Sequence, residues 1–61
     1  MTEYHVVPSG NQWRLQKAGG SVVSNHRKKQ PAVSAGQKKT SSGDTLVIHG
    51  SDGAVQDRRN Y

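Results

Sequence analysis

Five consecutive residues, Thr45-Leu46-Val47-Ile48-His49, constrain the fold of this chain more than any other segment. Apolar and β-branched side chains fill the run, and the turn residues Gly50-Ser51-Asp52-Gly53 close it. A run of that kind bounded by such a turn reads as a strand. A second run, Tyr4-His5-Val6-Val7, stops at Pro8, which lacks an N–H and belongs at strand ends or edges. From Gln12 to Lys17 the pattern alternates, with Trp13, Leu15 and Lys17 on one side and Arg14 and Gln16 on the other. A period of two marks a half-buried strand. Ser9-Gly10-Asn11 and Ala18-Gly19-Gly20 are turn chemistry. They set off a third strand over residues 21–25, built around Val22 and Val23. Asp52-Gly53 is a hairpin signal, and a fifth strand over residues 54–58 comes after it.

The stretch 27–43 has a different character. Pro31 fits a first helical turn, where its missing N–H costs nothing. Ala32, Val33, Ala35 and Gly36 then form a narrow stripe of small side chains at helical spacing. Gly36 in a helix interior costs about 1 kcal/mol relative to alanine, and a physical reason to keep it would be close helix-to-sheet approach, which one sequence does not show. Ser41-Ser42-Gly43 supplies a stop, and Lys38 and Lys39 suit the negative end of the helix dipole. The spacing predicts a helix over about 29–42.

The resulting order is β-β-β-α-β-β, an α+β fold. The expected architecture is a single twisted antiparallel sheet with one helix packed on one face, in one domain over residues 1–61. Tyr4, Val6, Trp13, Leu15, Val22, Leu46, Ile48 and Val55 are assigned to the helix side. His5, Val7, Arg14, Gln16, Val23, Val47, His49, Gln56 and Arg58 are assigned to the open face.

Several separated blocks occur in a fixed order: Tyr4-His5-Val6-Val7-Pro8, Trp13, His26, Ala32-Val33, Leu46-Val47-Ile48-His49 and Asp52-Gly53-Ala54-Val55-Gln56. This layout resembles a family of small bacterial proteins catalogued as a domain of unknown function. The resemblance runs from Tyr4 to Tyr61. It implies the same fold and carries no activity with it. The helix departs from the family pattern: Gln30-Pro31-Ala32-Val33-Ser34-Ala35-Gly36 is weak and glycine-bearing, where relatives have a Glu- and Arg-rich helix.

Composition narrows the function classes. Hydrophobic residues make up 30% of 61, phenylalanine is absent, and Trp13 is the one tryptophan, so Trp13 is expected to dominate a thin core. Without cysteine, neither disulfides nor thiolate-bound metal reinforce it. Compact packing or a second copy of the chain remains. Nine Lys and Arg face four Asp and Glu, a formal +5, which favours polyanionic partners. No apolar run approaches the roughly 20 residues of a membrane span, and the first residues lack a signal-peptide pattern. A cytoplasmic protein is the expectation.

His5, His26 and His49 are the candidates for acid/base work near neutral pH, and His5 and His49 share the predicted open face. A ribonuclease uses two histidines in that way. Ordinary strand hydrogen bonds are the simpler reading, and the spacing supports no metal site. Glu3, Asp44, Asp52 and Asp57 are scattered, with Asp52 a turn residue. No enzyme, cofactor or metal is therefore assigned. The basic clusters say more: Arg27-Lys28-Lys29 precedes the helix, Lys38-Lys39 closes it, and Arg58-Arg59 ends the last strand. With Arg14, these eight are the candidate phosphate contacts to DNA or RNA, and Gln16 and Gln56 are candidate polar contacts. Base stacking needs exposed aromatics, which this chain lacks in number, so backbone contacts are the expected mode. The competing reading is a protein-interaction or homodimerisation module that uses the open face or an edge, with Val7, Val23 and Val47 as its apolar patch.

Overall fold

Three strands, β1 (Glu3–Ser9), β2 (Gln12–Lys17) and β3 (Val22–His26), precede helix α1 (Lys29–Lys39). Strands β4 (Thr45–His49) and β5 (Val55–Asn60) come after it, so the expected order of elements is present. The structure is a computed structural model and describes residues 2–61. The five strands form one sheet in the order β3-β2-β1-β4-β5. Three neighbouring pairs are antiparallel, but β1 and β4 run parallel, so the sheet is mixed rather than wholly antiparallel. Counting chain reversals gives the reason. Two hairpins leave β3 parallel to β1, and α1 then returns the chain to the end of the sheet where β1 starts. The next strand therefore enters along β1, at its free edge. Leu46, Val47 and Ile48 are all buried there.

The helix lies on β1, β2 and β3 and reaches β4 only weakly. Tyr4, Val6, Leu15, Ala32, Leu46 and Ile48 form the core, with Leu15, Leu46 and Val6 its largest fully enclosed side chains. Trp13 does not dominate this core. It is half-buried at the margin, where the Lys29 ammonium sits 5.3 Å from its ring centroid. Leucine and valine fill the centre because the small helix stripe comes too close for an indole. A Cβ on Gly36 would lie 2.7 Å from Leu46 Cδ1 and 3.3 Å from Leu15 Cδ1.

Two β-bulges reverse local side-chain directions. In β3, Leu15 pairs with Ser24 and Gln16 with Val22, which leaves Val23 as the extra residue. Val23 packs against the helix-side core and Val22 is 51% exposed, the opposite of the expected assignment. In β5, Ile48 pairs with Asp57 and His49 with Val55, which leaves Gln56 unpaired. Val55 is accordingly 61% exposed rather than buried, and Gln56 turns to the helix side.

The helix stops three residues earlier than its composition suggests. Thr40 is already extended, at φ −75° and ψ 144°, and its N–H donates to the Gly36 carbonyl. The Asp44 carboxylate then secures the turn. It accepts from the Ser41 N–H at 3.0 Å and from the Thr2 N–H at 2.8 Å, ahead of β4 and β1 respectively. These backbone bonds, the Ser41 one foremost, hold the Asp44 carboxyl below its ordinary range.

The Gly36 contact generates a prediction. Alanine raises helix propensity by about 1 kcal/mol, yet a methyl group forced against the enclosed Leu46 costs roughly 1–3 kcal/mol. Gly36→Ala should therefore lower stability by about 1 kcal/mol in urea unfolding, against the helix-propensity trend. An increase in stability would show that Leu46 yields.

Candidate functional site

The eight candidate cations do not share one surface. Arg14 lies on the open face, with Nε 3.4 Å from Asn25 Oδ1. Arg58 lies on the same face two strands beyond β1, with Nη2 3.2 Å from Glu3 Oε1. Arg59, its neighbour in sequence, points to the helix side and donates from Nε to Asp57 Oδ2 at 3.0 Å. Lys38 and Lys39 occupy the last turn of α1, about 15 Å along the axis from its start. Arg27 and Lys28 are exposed at the β3–α1 junction, and Lys29 opens the helix.

Lys29 and Arg59 are the two that the fold brings together. Because the α1 backbone stays clear of β5, a groove of about 360 Å³ remains between helix and strand. Val33 and Ile48 supply its apolar lining, while Lys29, Gln30, Gln56, Asp57 and Arg59 supply the polar part. Lys29 Nζ donates to Gln56 Oε1, so the bulged residue ties the last strand to the helix. Arg59 holds the Asp57 carboxyl below its ordinary range, helped by the Arg58 N–H, and Asp57 in turn secures the charge on Arg59. Lys29 carries the groove's uncompensated charge, and Arg27 and Lys28 extend it along the chain.

All four acidic residues have internal partners. Glu3 takes Arg58 and His5, Asp57 takes Arg59, Asp44 takes the Thr2 and Ser41 amides, and Asp52 takes the Ala54 N–H at 3.1 Å. Among the described residues, no ion pair involves Arg27, Lys28, Lys29, Lys38 or Lys39. Arg14 and Lys17 on β2 are likewise in none of these ion pairs, so the excess positive charge is shared between β2 and the helix with its approaches, where the larger part lies.

The open face carries a second arrangement. His5 and His49 do share it, with His5 Nδ1 2.9 Å from His49 Nε2. His5 Nε2 is 2.8 Å from Glu3 Oε2, and His49 Nδ1 is 3.0 Å from the Gly53 carbonyl oxygen. Gly53 presents that carbonyl from a turn at φ +87°, a conformation that favours glycine. Every ring nitrogen of the pair is thus engaged within the protein. A two-histidine nuclease needs at least one of them turned to substrate, so this geometry does not favour that chemistry. His26 is elsewhere, bonded through Nε2 to Ser24 Oγ at 2.8 Å and paired with Trp13 across β2. Among the described residues, no three His, Cys, Asp or Glu side chains are placed to hold a metal ion.

Glu3 went unassigned in the sequence, yet its signal was there. Two residues apart on a strand means one face, so Glu3 and His5 had to be neighbours. Asp57 and Gln30 were also unassigned, and no sequence pattern places them in a groove.

Fold and charge together define a small basic α+β domain with a one-sided helix. The comparison with known families is specific: residues 4–61 match the family described as uncharacterized proteins conserved in bacteria (DUF2188), and the chain belongs to that family. No curated protein and no solved structure matches the chain.

The carboxylates give a pH prediction. Glu3 is held low chiefly by its hydrogen bond to His5, Asp44 by backbone amides and Asp57 by Arg59. Unfolded carboxyls titrate at about 3.9–4.3. Folded values below these add stability above that range, and it is lost as pH falls through them. Thermal unfolding from pH 5 to pH 2 should show a falling midpoint. The variant Glu3→Gln/Asp44→Asn/Asp57→Asn should start lower and fall less.

Proposed function

We propose that this chain is a non-catalytic nucleic-acid-binding module that grips backbone phosphates along the helix side, and that it works in the cytoplasm. The observation that carries the reading is the Lys29–Arg59 groove, which adjoins Arg27 and Lys28 on a chain whose acids are all engaged internally. A phosphate oxygen is a good acceptor for Arg59 and Lys29, and the amides of Gln30 and Gln56 add donors beside them. Tyr4 is buried and Trp13 sits beneath Lys29, so the sheet offers no platform for stacked bases. Binding of this kind is salt-dependent and tolerant of sequence.

Of the eight candidates, Arg27, Lys28, Lys29 and Arg59 take the primary contacts. Lys38 and Lys39 extend the track toward the other end of the helix. Arg14 and Arg58 lie on the opposite face and contribute through the general field.

Fluorescence anisotropy with labelled single- and double-stranded DNA and RNA tests this. Micromolar binding should weaken with salt, with a log–log slope of roughly −3 to −4 on duplex DNA for four phosphate contacts. Arg27→Glu/Lys28→Glu should weaken binding at least tenfold, while Arg14→Glu should change it little. Arg58→Glu and Arg59→Glu, made singly, should separate, with the larger loss at Arg59. Absence of binding at low salt would remove the proposal.

A protein-interaction reading has one supporting feature, the β5 edge, which is exposed along its whole length. The open-face patch of Val7, Val23 and Val47 is not assembled, because Val23 faces the helix and Val47 is 3% exposed. Asp57, Arg58 and Arg59 also charge the edge against strand pairing. Sedimentation at two concentrations should show a monomer, and a concentration-dependent dimer would favour the edge reading.

A further inference from the structure

We infer that Glu3, His5, His49 and the Gly53 carbonyl form a proton-operated clasp over Val47, closed when the two imidazoles together hold one proton beyond their neutral complement. The argument is a count of hydrogens. The Gly53 carbonyl only accepts, so His49 Nδ1, 3.0 Å away, carries a hydrogen. In a neutral His49 the Nε2 is then an acceptor. His5 Nδ1, 2.9 Å from it, must donate. His5 Nε2 faces Glu3 Oε2 at 2.8 Å, and that carboxyl is kept ionised by His5 and by Arg58. A carboxylate only accepts, so His5 Nε2 carries a hydrogen as well. Every contact is satisfied by an imidazolium His5 beside a neutral Nδ1–H His49, or by an imidazolium His49 that donates from Nε2 to a neutral Nε2–H His5, and the Glu3 anion 2.8 Å from His5 favours the first.

With both rings neutral, no placement of the His5 hydrogen completes the chain. With its hydrogen on Nδ1, a nitrogen lone pair confronts the carboxylate at 2.8 Å. With its hydrogen on Nε2, two ring lone pairs meet at 2.9 Å. Losing the proton breaks one bond in either case. A metal ion does not substitute. The ring centroids are 5.1 Å apart, so the two nitrogens face each other nearly in line. An ion between them, at about 2.0 Å from each, needs roughly 4 Å of separation.

The clasp joins β1, β4 and the β4–β5 turn, and Arg58 brings β5 to Glu3. Among the neighbouring groups, Arg58 is the cation that shares the Glu3 carboxylate with the proton. From β2, uncharged Gln16 lies opposite His5 and Arg14 lies one pair further, opposite Val7. From β4 come Thr45 and Val47, and from β5 come Arg58, Asn60 and the apolar Val55 beside His49. Asp52 in the turn is occupied by the Ala54 N–H, and α1 covers the other face. Val47 pairs with His5 on one side and Arg58 on the other, which explains why an open-face valine is 3% exposed. Releasing the proton loosens His49 from His5 and uncovers Val47.

The linkage has a definite sign. Releasing the proton costs the folded chain a hydrogen bond that the unfolded chain does not make, so stability falls as pH rises through the release. Nitrogen-15 NMR of the imidazoles, on the whole chain from pH 5 to pH 8.5, reads the hydrogens directly. At the acid end His5 should carry both ring hydrogens and His49 the Nδ1 hydrogen alone. On raising pH, both rings and the Val47 methyls should shift together. A His49 Nε2–H tautomer throughout, or a His5 transition that leaves His49 and Val47 unmoved, would overturn the clasp. Thermal unfolding adds a second readout. From pH 6 to pH 8.5 the wild-type midpoint should fall by roughly 4–8 °C more than that of His49→Asn. Equal slopes in the two proteins would count against it, with His26 cancelling in the comparison.

Discussion

The approach of α1 to the sheet at Gly36 is the contact on which the other features depend. Without a side chain at that position, the helix settles onto Leu15 and Leu46 with almost no intervening space. That contact fixes the helix over β1, β2 and β3, where Ala32 and Gly36 bury the small stripe. The backbone of a helix of 11 residues centred there stays clear of β5, which it meets through the Lys29 side chain. The groove between Lys29 and Arg59 is thus a geometric consequence of how the core is packed. A bulkier stripe would lift the helix, and the core would lose the dense contact that a domain of 61 residues needs.

Strong local patterns made much of this legible. The alternation through Trp13 and Leu15 gave β2 its correct face, and the Leu46-Val47-Ile48 run gave β4. The parallel β1–β4 junction was equally implicit, because three strands and a returning helix leave one free edge beside β1. Its signal lies in the number of chain reversals, which residue patterning within each strand does not carry. The two bulges are a different case. Alternation assumes that each residue has one partner, and an extra residue at Val23 or Gln56 flips the side chains beyond it. Val22-Val23 gives no compositional hint of which valine faces the core. Val55 reads as an inward β residue until the bulge turns it outward.

The site was less legible than the fold, because charge clusters in sequence do not translate into clusters in space. Arg58-Arg59 looks like one basic patch, but a strand sends consecutive side chains to opposite faces. One arginine completes the open-face network through Glu3, and the other lines the groove. Lys28-Lys29 divides similarly at the helix start: Lys28 is exposed, while Lys29 folds over Trp13 toward Gln56. Residue type identified the cations, but only the pairing register assigns each to a surface.

The two faces differ in how their charges are balanced, and this separates their roles. On the open face Glu3 lies between Arg58 and His5, while Arg14 is bonded only to the neutral Asn25 amide. An external phosphate at Arg58 competes with a partner already in place. On the helix side, Asp57 offsets Arg59 alone, and Lys29 makes its bond to an uncharged amide. Replacing that amide with a phosphate oxygen exchanges a neutral acceptor for a charged one, which strengthens the bond rather than trading like for like. Arg14 on the open face offers the same exchange, so under the proposed function the helix side is set apart by Arg27 and Lys28 standing next to Lys29.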